Sequence, residues 1–215
     1  MFSALLFDMD GLIFDTEQLY KTSWQFAAQE MGLELTDSFY QSFIGIQDHE
    51  CEQMLVKLYD HNFDLNAYRS IRDAHFHKAR SGGIAFKPGF HRLFQLATEK
   101  GLRKALVTSS GLADTQFNFA HSTYLEQFDT IITAEDVAKG KPEPDCYLLS
   151  CQKLNLKPSR CLVLEDSNNG VRAGKRAGCT VAMIPDMTPQ DPYSQQSADY
   201  LFESLEDVSA LLNCL

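Results

Sequence analysis

Ser3-Ala-Leu-Leu-Phe7, followed directly by Asp8-Met-Asp10-Gly11-Leu-Ile-Phe-Asp15-Thr16-Glu17, decides how the chain is read. The first part is a short apolar run that stops at an acid and an Asp-Gly turn. A run of this length, bounded by a turn signal, reads as a strand covered on both faces of a sheet. It lacks a basic n-region and meets Asp8 and Asp10 too early to be a secretory leader.

Similar runs recur at Lys104–Thr108, Thr130–Thr133, Cys161–Leu164 and Thr180–Ile184, with a weaker one at Tyr200–Phe202. Helix-period segments lie between or after them, at Phe90–Lys100, Leu112–His121, Asp145–Leu154, Asn168–Ala177 and Leu205–Leu212. Alternation of this kind predicts right-handed βαβ units and a parallel sheet. It fails between Glu17 and Arg80, where only helical patterns occur: Gln18–Met31, Ser38–Phe43, Glu50–Leu58 and Ala67–Lys78. Ser81-Gly82-Gly83 and Lys87-Pro88-Gly89 supply turn chemistry on the return. The expected fold is α/β, a discontinuous core around a parallel sheet formed by residues 1–15 and 82–215. A helical cap domain, residues 16–81, is inserted after the first strand. Pro185–Ser197 reads as a surface loop.

A chain of 215 residues accommodates one large domain, or one domain with a sizeable insertion. Hydrophobic residues at 44% and charged residues at 22% are ordinary for a soluble globular protein. Lys and Arg number 19 against 29 Asp and Glu, a net charge of −10. That balance argues against a nucleic-acid polymer or an anionic membrane surface as partner. No apolar run approaches the length of a membrane-spanning helix. The six cysteines, Cys51, Cys146, Cys151, Cys161, Cys179 and Cys214, are scattered and form no C-x-x-C. They read as small hydrophobes in a reducing cytoplasm, not as disulfides or zinc ligands. No long heptad or apolar stripe appears, so a monomer is expected.

In an open parallel sheet, ligands bind outside the carboxyl ends of the strands. Four of the strands here run into polar, reactive segments. The first leads to Asp8-Met-Asp10-Gly11, and the second to Thr108-Ser109-Ser110-Gly111. Gly140-Lys141-Pro142-Glu143-Pro144-Asp145 comes after the third, and Glu165-Asp166-Ser167-Asn168-Asn169-Gly170 after the fourth. Taken singly, each is a common turn, helix cap or loop lysine. Together at one sheet edge they form a constellation, and gathered carboxylates repel unless a cation joins them. Mg²⁺ is the expected cation, because it takes oxygen ligands and bridges carboxylates to phosphate. An EF-hand starting at Asp8 fails, with Ile13 and Leu19 where Gly and Glu belong. Asp8 and Asp166, with a backbone carbonyl, are the expected metal ligands. Asp8 is placed to attack phosphorus, and Asp10 to protonate the leaving oxygen and then activate water. Thr108 and nearby N–H groups are expected to bind phosphoryl oxygens, while Lys141 offsets their charge.

These segments resemble the four motifs of the haloacid dehalogenase superfamily of phosphohydrolases. Asp8-Met-Asp10-Gly11-Leu-Ile-Phe-Asp15-Thr16-Glu17 is similar to the first and Val107-Thr108-Ser109-Ser110 to the second. Gly140-Lys141-Pro142-Glu143-Pro144-Asp145 is similar to the third and Glu165-Asp166-Ser167-Asn168-Asn169-Gly170-Val171 to the fourth. The resemblance spans nearly the whole chain. It implies a Rossmann-like, doubly wound parallel sheet core with an inserted helical cap, Mg²⁺-dependent phosphoryl transfer, Asp8 as nucleophile and Asp10 as acid/base. It implies Asp8, the Asp10 carbonyl and Asp166 as metal ligands, with Glu165 and Ser167 beside them. Gly11, Thr108, Ser109 and Lys141 then form the phosphate-binding edge. Within the superfamily the chain looks most like the β-phosphoglucomutase group and its sugar-phosphate and nucleotide phosphatase relatives.

Sugar-phosphate mutases of that group carry His where this chain has Tyr20, and a cap Arg where Gly45-Ile46-Gln47-Asp48-His49 offers Asp48. The expectation is therefore a phosphatase for a small phosphomonoester, a sugar phosphate or a nucleoside monophosphate. The alternative is a phosphosugar mutase. A receiver-like signalling domain fits less well, because the lysine precedes the last acids and a cap interrupts the chain. Tyr20, Gln47 and Arg80 are the cap residues expected to touch substrate.

Overall fold

The computed structural model describes residues 2–43, 48–59, 63–187 and 189–214. In chain order the elements are β1 (Ala4–Phe7), α1 (Thr16–Glu30), α2 (Asp37–Tyr40), α3 (Asp48–Tyr59) and α4 (Leu65–Ser81). Then come α5 (Phe90–Glu99), β2 (Arg103–Val107), α6 (Leu112–Phe119), β3 (Thr130–Ile132), α7 (Asp145–Lys153) and β4 (Cys161–Glu165). The chain finishes with α8 (Asn168–Arg176), β5 (Thr180–Met183), α9 (Pro192–Ser197), β6 (Tyr200–Leu201) and α10 (Leu205–Cys214). It forms two compact units, Met1–Asp15 with Ala85–Leu215, and Thr16–Ile84.

The first unit is an α/β fold around a six-stranded sheet in the order β3-β2-β1-β4-β5-β6, with every pairing parallel. The central strand β1 is flanked by β2 and β4, with Leu6 in register with Ala105 and Val163. The order reverses there, and at such a switch point the carboxyl ends leave a crevice. Alternate side chains point to opposite faces. Leu6, Val107, Val163 and Val181 form one core with Tyr147 and Cys151 of α7 and Val171 and Ala173 of α8. Phe7 faces the other way, its ring 6.2 Å from those of Phe90 and Phe94 on α5 and 5.9 Å from Phe128. Burial on both faces is why these strands read as continuous apolar runs.

Asp191 and Pro192 turn part of the expected surface loop into the short helix α9. The Asp191 carboxylate accepts the Ser194 N–H at 2.7 Å, and proline occupies the first turn, where no N–H is needed.

The two chain crossings beside the inserted segment are tied to each other. Asp15 N donates to Ala85 O at 3.0 Å and Lys87 N to Ile13 O at 2.8 Å. Phe14 and Phe86 form an antiparallel bridge with ring centroids 4.8 Å apart.

The second unit is helical. Its centre is Trp24 of α1, fully buried, with its ring 5.0 Å from Phe43 and 5.9 Å from Tyr68 of α4. The Tyr68 hydroxyl donates to Trp24 O at 2.7 Å. Arg72 of α4 is buried with its guanidinium 4.6 Å from the centre of the Trp24 ring. Its Nη1 bonds buried Glu52 of α3 at 3.2 Å, and its Nε bonds Asp73 at 2.8 Å. Arg69 bonds both oxygens of the same Glu52. Hydrogen-bonded pairing is what makes such buried charges tolerable.

Candidate active site

Asp8 follows β1, buried, with its N–H bonded to Leu164 O at 3.0 Å. The chain then turns tightly: Ile13 N and Phe14 N both donate to Met9 O, at 2.8 and 3.1 Å. Gly11 adopts φ +79°, and a Cβ there would lie 2.2 Å from Asp166 Oδ2. Only glycine lets the Asp166 carboxylate approach this turn. Asp10 Oδ2 accepts the Ser110 hydroxyl at 2.7 Å. Ser110 is held in turn by its N–H, which donates to Thr108 Oγ1 at 3.0 Å. Thr108 is buried after β2, whereas Ser109 is exposed.

Lys141 reaches the same edge from the loop before α7. Its side chain is 6% exposed, and its ammonium bonds Asp8 Oδ1, Glu165 Oε1 at 2.6 Å and Val107 O at 3.0 Å. Glu165, at the end of β4, is completely buried. Its Oε2 accepts the Ser167 hydroxyl at 3.0 Å, while that hydroxyl accepts Gly170 N at 3.0 Å and so caps α8. Gly170 has to be glycine, since a Cβ would fall 1.8 Å from the Glu165 carboxyl carbon.

Burial pushes the Asp8 carboxyl up to about 7, against the pull of Lys141 and with added repulsion from Glu165. Lys141 is held well above the ordinary lysine range by Asp8 and Glu165, which outweigh its burial, and stays an ammonium.

Oxygens of Asp8, Glu165 and Asp166 lie within 4.8 Å of one another. Carboxylate oxygens suit a hard divalent cation. Glu165, however, already receives Lys141 and Tyr147 on Oε1 and Ser167 on Oε2. Its lone pairs are committed, which leaves Asp8 and Asp166 as the acids better able to face a cation.

Asp8, Asp10, Thr108, Lys141, Glu165, Asp166 and Ser167 all end at the carboxyl edge of the sheet. Tyr20 belongs to the helical unit, where its hydroxyl bonds Asp48. Asp48 also lies 3.9 Å from Arg72 Nη1, a cation that no sequence spacing connects with it. Gln47 lies outside the described residues. Arg80 sits with its guanidinium 5.2 Å from the Phe76 ring. Sequence reasoning also missed Ser110 as the partner of Asp10, although it closes the hydroxyl run after Thr108. It missed Tyr147 too, which reads as an ordinary core residue of α7.

Parallel strands in this order, with acids, hydroxyls and a lysine gathered at the carboxyl edge, define an α/β enzyme. The chain belongs to the haloacid dehalogenase-like hydrolases, a family that matches residues 5–184. The phosphorylated carbohydrates phosphatase of Thermotoga maritima is 29% identical over 81% of this chain and 81% of its own. The validoxylamine A 7'-phosphate phosphatase of Streptomyces hygroscopicus subsp. limoneus is 29% identical over 97% of this chain and 96% of its own. A Thermotoga maritima crystal structure reported as a candidate beta-phosphoglucomutase superposes with a TM-score of 0.84. It is 25% identical and covers 99% of this chain and 100% of its own. The protein is thus a hydrolase among relatives named as phosphatases.

Proposed function

We propose that the protein is a Mg²⁺-dependent phosphatase of small phosphomonoesters, a sugar phosphate or a nucleoside monophosphate. The observation that carries this reading is Asp8, held by Lys141 at the sheet edge beside Asp10 and Asp166. Relatives named as phosphatases of phosphorylated carbohydrates and of validoxylamine A 7'-phosphate support the substrate class.

An Asp8 carboxylate oxygen attacks phosphorus, and the bond from phosphorus to the leaving oxygen breaks. Asp10, as the carboxylic acid, gives its proton to that oxygen and releases the alcohol. Water then attacks the aspartyl phosphate and passes a proton to Asp10. Inorganic phosphate leaves and the Asp8 carboxylate is restored. Ser110 orients Asp10 through its 2.7 Å bond, and Thr108 with nearby N–H groups receives the phosphoryl oxygens. Lys141 offsets charge on nucleophile and phosphate. Asp8, Asp166 and the Asp10 carbonyl would hold Mg²⁺, which would supply further charge stabilisation.

The test is a panel of phosphorylated sugars and nucleoside monophosphates with Mg²⁺, read as inorganic phosphate. Chelator-sensitive release from a member of the panel is expected. Isomerisation of β-glucose 1-phosphate with a bisphosphate primer and little phosphate release would instead establish a mutase.

A further inference from the structure

Tyr147 stands outside the set of strand-end residues, yet it ends in the same network. It lies on α7, has no exposed surface, and donates its hydroxyl to Glu165 Oε1 at 2.6 Å. That oxygen also accepts Lys141 Nζ at 2.6 Å, and the same ammonium lies 5.2 Å from the Tyr147 ring centre. Ser167 secures the other Glu165 oxygen through its hydroxyl at 3.0 Å and its N–H at 3.3 Å.

Packing alone does not call for this hydroxyl. Phenylalanine fills nearly the same space in the apolar core beside Cys146 and Cys151 and carries no polar group to desolvate. A buried hydroxyl is unfavourable unless it is bonded, and this one is bonded to the group that holds Lys141. The last torsion of glutamate is soft. With Ser167 alone on one oxygen, the Glu165 carboxylate can swing and take the ammonium away from Asp8.

We propose that Tyr147 is a positioning residue for phosphoryl transfer: its hydroxyl locks Glu165, and Glu165 holds the Lys141 ammonium against Asp8. Burial, reinforced by the charges of Glu165 and Asp8, keeps the phenol far above its ordinary range, so it remains a donor. The inference rests on the phosphatase reading above.

Tyr147→Phe keeps the ring under the ammonium and removes only the hydroxyl. The variant and the wild type are compared on p-nitrophenyl phosphate with Mg²⁺, and in inhibition by orthovanadate and by inorganic phosphate. Losing a hydrogen bond to a charged group predicts a fall in kcat of about 10–100-fold with KM within about twofold. Vanadate mimics the five-coordinate phosphorus of the transition state, so its inhibition constant rises in step with the loss in kcat. That for inorganic phosphate stays nearly constant. In a Glu165→Gln background, adding Tyr147→Phe has little further effect. Unchanged kcat, equal weakening of vanadate and phosphate, or loss of the fold in Tyr147→Phe overturns the inference while an active wild type leaves the phosphatase reading standing. A wild type that hydrolyses none of the phosphate esters and binds no vanadate overturns both.

Discussion

The α/β unit and the helical unit each bury a group of charges, and the two groups are built to opposite ends. At the sheet edge, Asp8, Glu165 and Asp166 outnumber Lys141, which is already shared between Asp8 and Glu165. In the helical unit, Glu52 is shared by Arg69 and Arg72, while Asp48 and Asp73 flank Arg72. Buried acid and buried base balance there, Glu52 against Arg72, with Arg69, Asp48 and Asp73 at the exposed margin. Surplus carboxylates repel one another until a cation joins them, whereas a paired acid and base hold helices together. Charge surplus, more than burial, separates a reactive centre from a structural one.

Removing one acid from each cluster tests this contrast. Asp8→Asn should abolish phosphate release, because an amide cannot accept the phosphoryl group, while circular dichroism remains that of the wild type. Substantial turnover in this variant would remove Asp8 as nucleophile.

Asp10→Asn should slow turnover by roughly 10²–10⁴, the usual span for a positioned acid/base. The loss should shrink for aryl phosphates, whose leaving groups need less protonation. Equal losses for aryl and alkyl phosphates would count against the acid role.

Glu52→Gln should act on stability instead. It strands Arg72 in the interior, and breaking a buried ion pair costs about 3–5 kcal/mol. The 2.8 Å bond from Arg72 to Asp73 survives, which places the expected loss at about 3 kcal/mol, the lower end of that range. Urea unfolding reads it directly, and a midpoint equal to that of the wild type would show that the helical cluster is not structural.

The smallest effect concerns protons. With its carboxyl pushed up to about 7, Asp8 keeps its proton in the metal-free protein below that pH and loses it above. Cation binding at Asp8 must expel the proton, so affinity for Mg²⁺ should weaken about tenfold per pH unit below 7 and level off above 8. Calorimetric titrations at several pH values would show it. Affinity that is flat between pH 5.5 and 7 would mean that Asp8 is already ionised.

The sheet-edge cluster was legible because it obeys a positional rule. Each member comes after a short apolar strand, and the rule converts sequence order into spatial neighbourhood without any knowledge of packing. Glu165 and Lys141 could be placed together from opposite sides of α7 on that basis alone. Tyr147 could not, because a tyrosine on the buried stripe of a helix has the same pattern whether or not its hydroxyl has work to do. The helical cluster was hidden for a related reason. Glu52 and Arg72 meet across α3 and α4, and no local spacing links residues on different helices. Asp48 stands in the sequence as an acid where the mutases carry an Arg, but in the fold it lies 3.9 Å from Arg72 Nη1 and accepts a bond from Tyr20, which changes that local charge balance. The helix α9 escaped notice because its Asp191-Pro192 start was masked by a proline- and glutamine-rich surround.

The hydrogen bonds between Asp15 and Ala85 and between Ile13 and Lys87 have a consequence for heredity and engineering. The polypeptide leaves the sheet and comes back at the same doorway, so the ends of the excursion are already joined before anything is inserted there. Closing an insertion whose ends already meet adds little entropy cost even when the insertion grows, since that cost rises only with the logarithm of its length. A lineage can therefore lengthen, shorten or exchange the intervening segment without retuning the strands that carry Asp8 and Asp166. The doorway works as a socket: the turn after Asp8 keeps its anchorage whatever segment is joined to it.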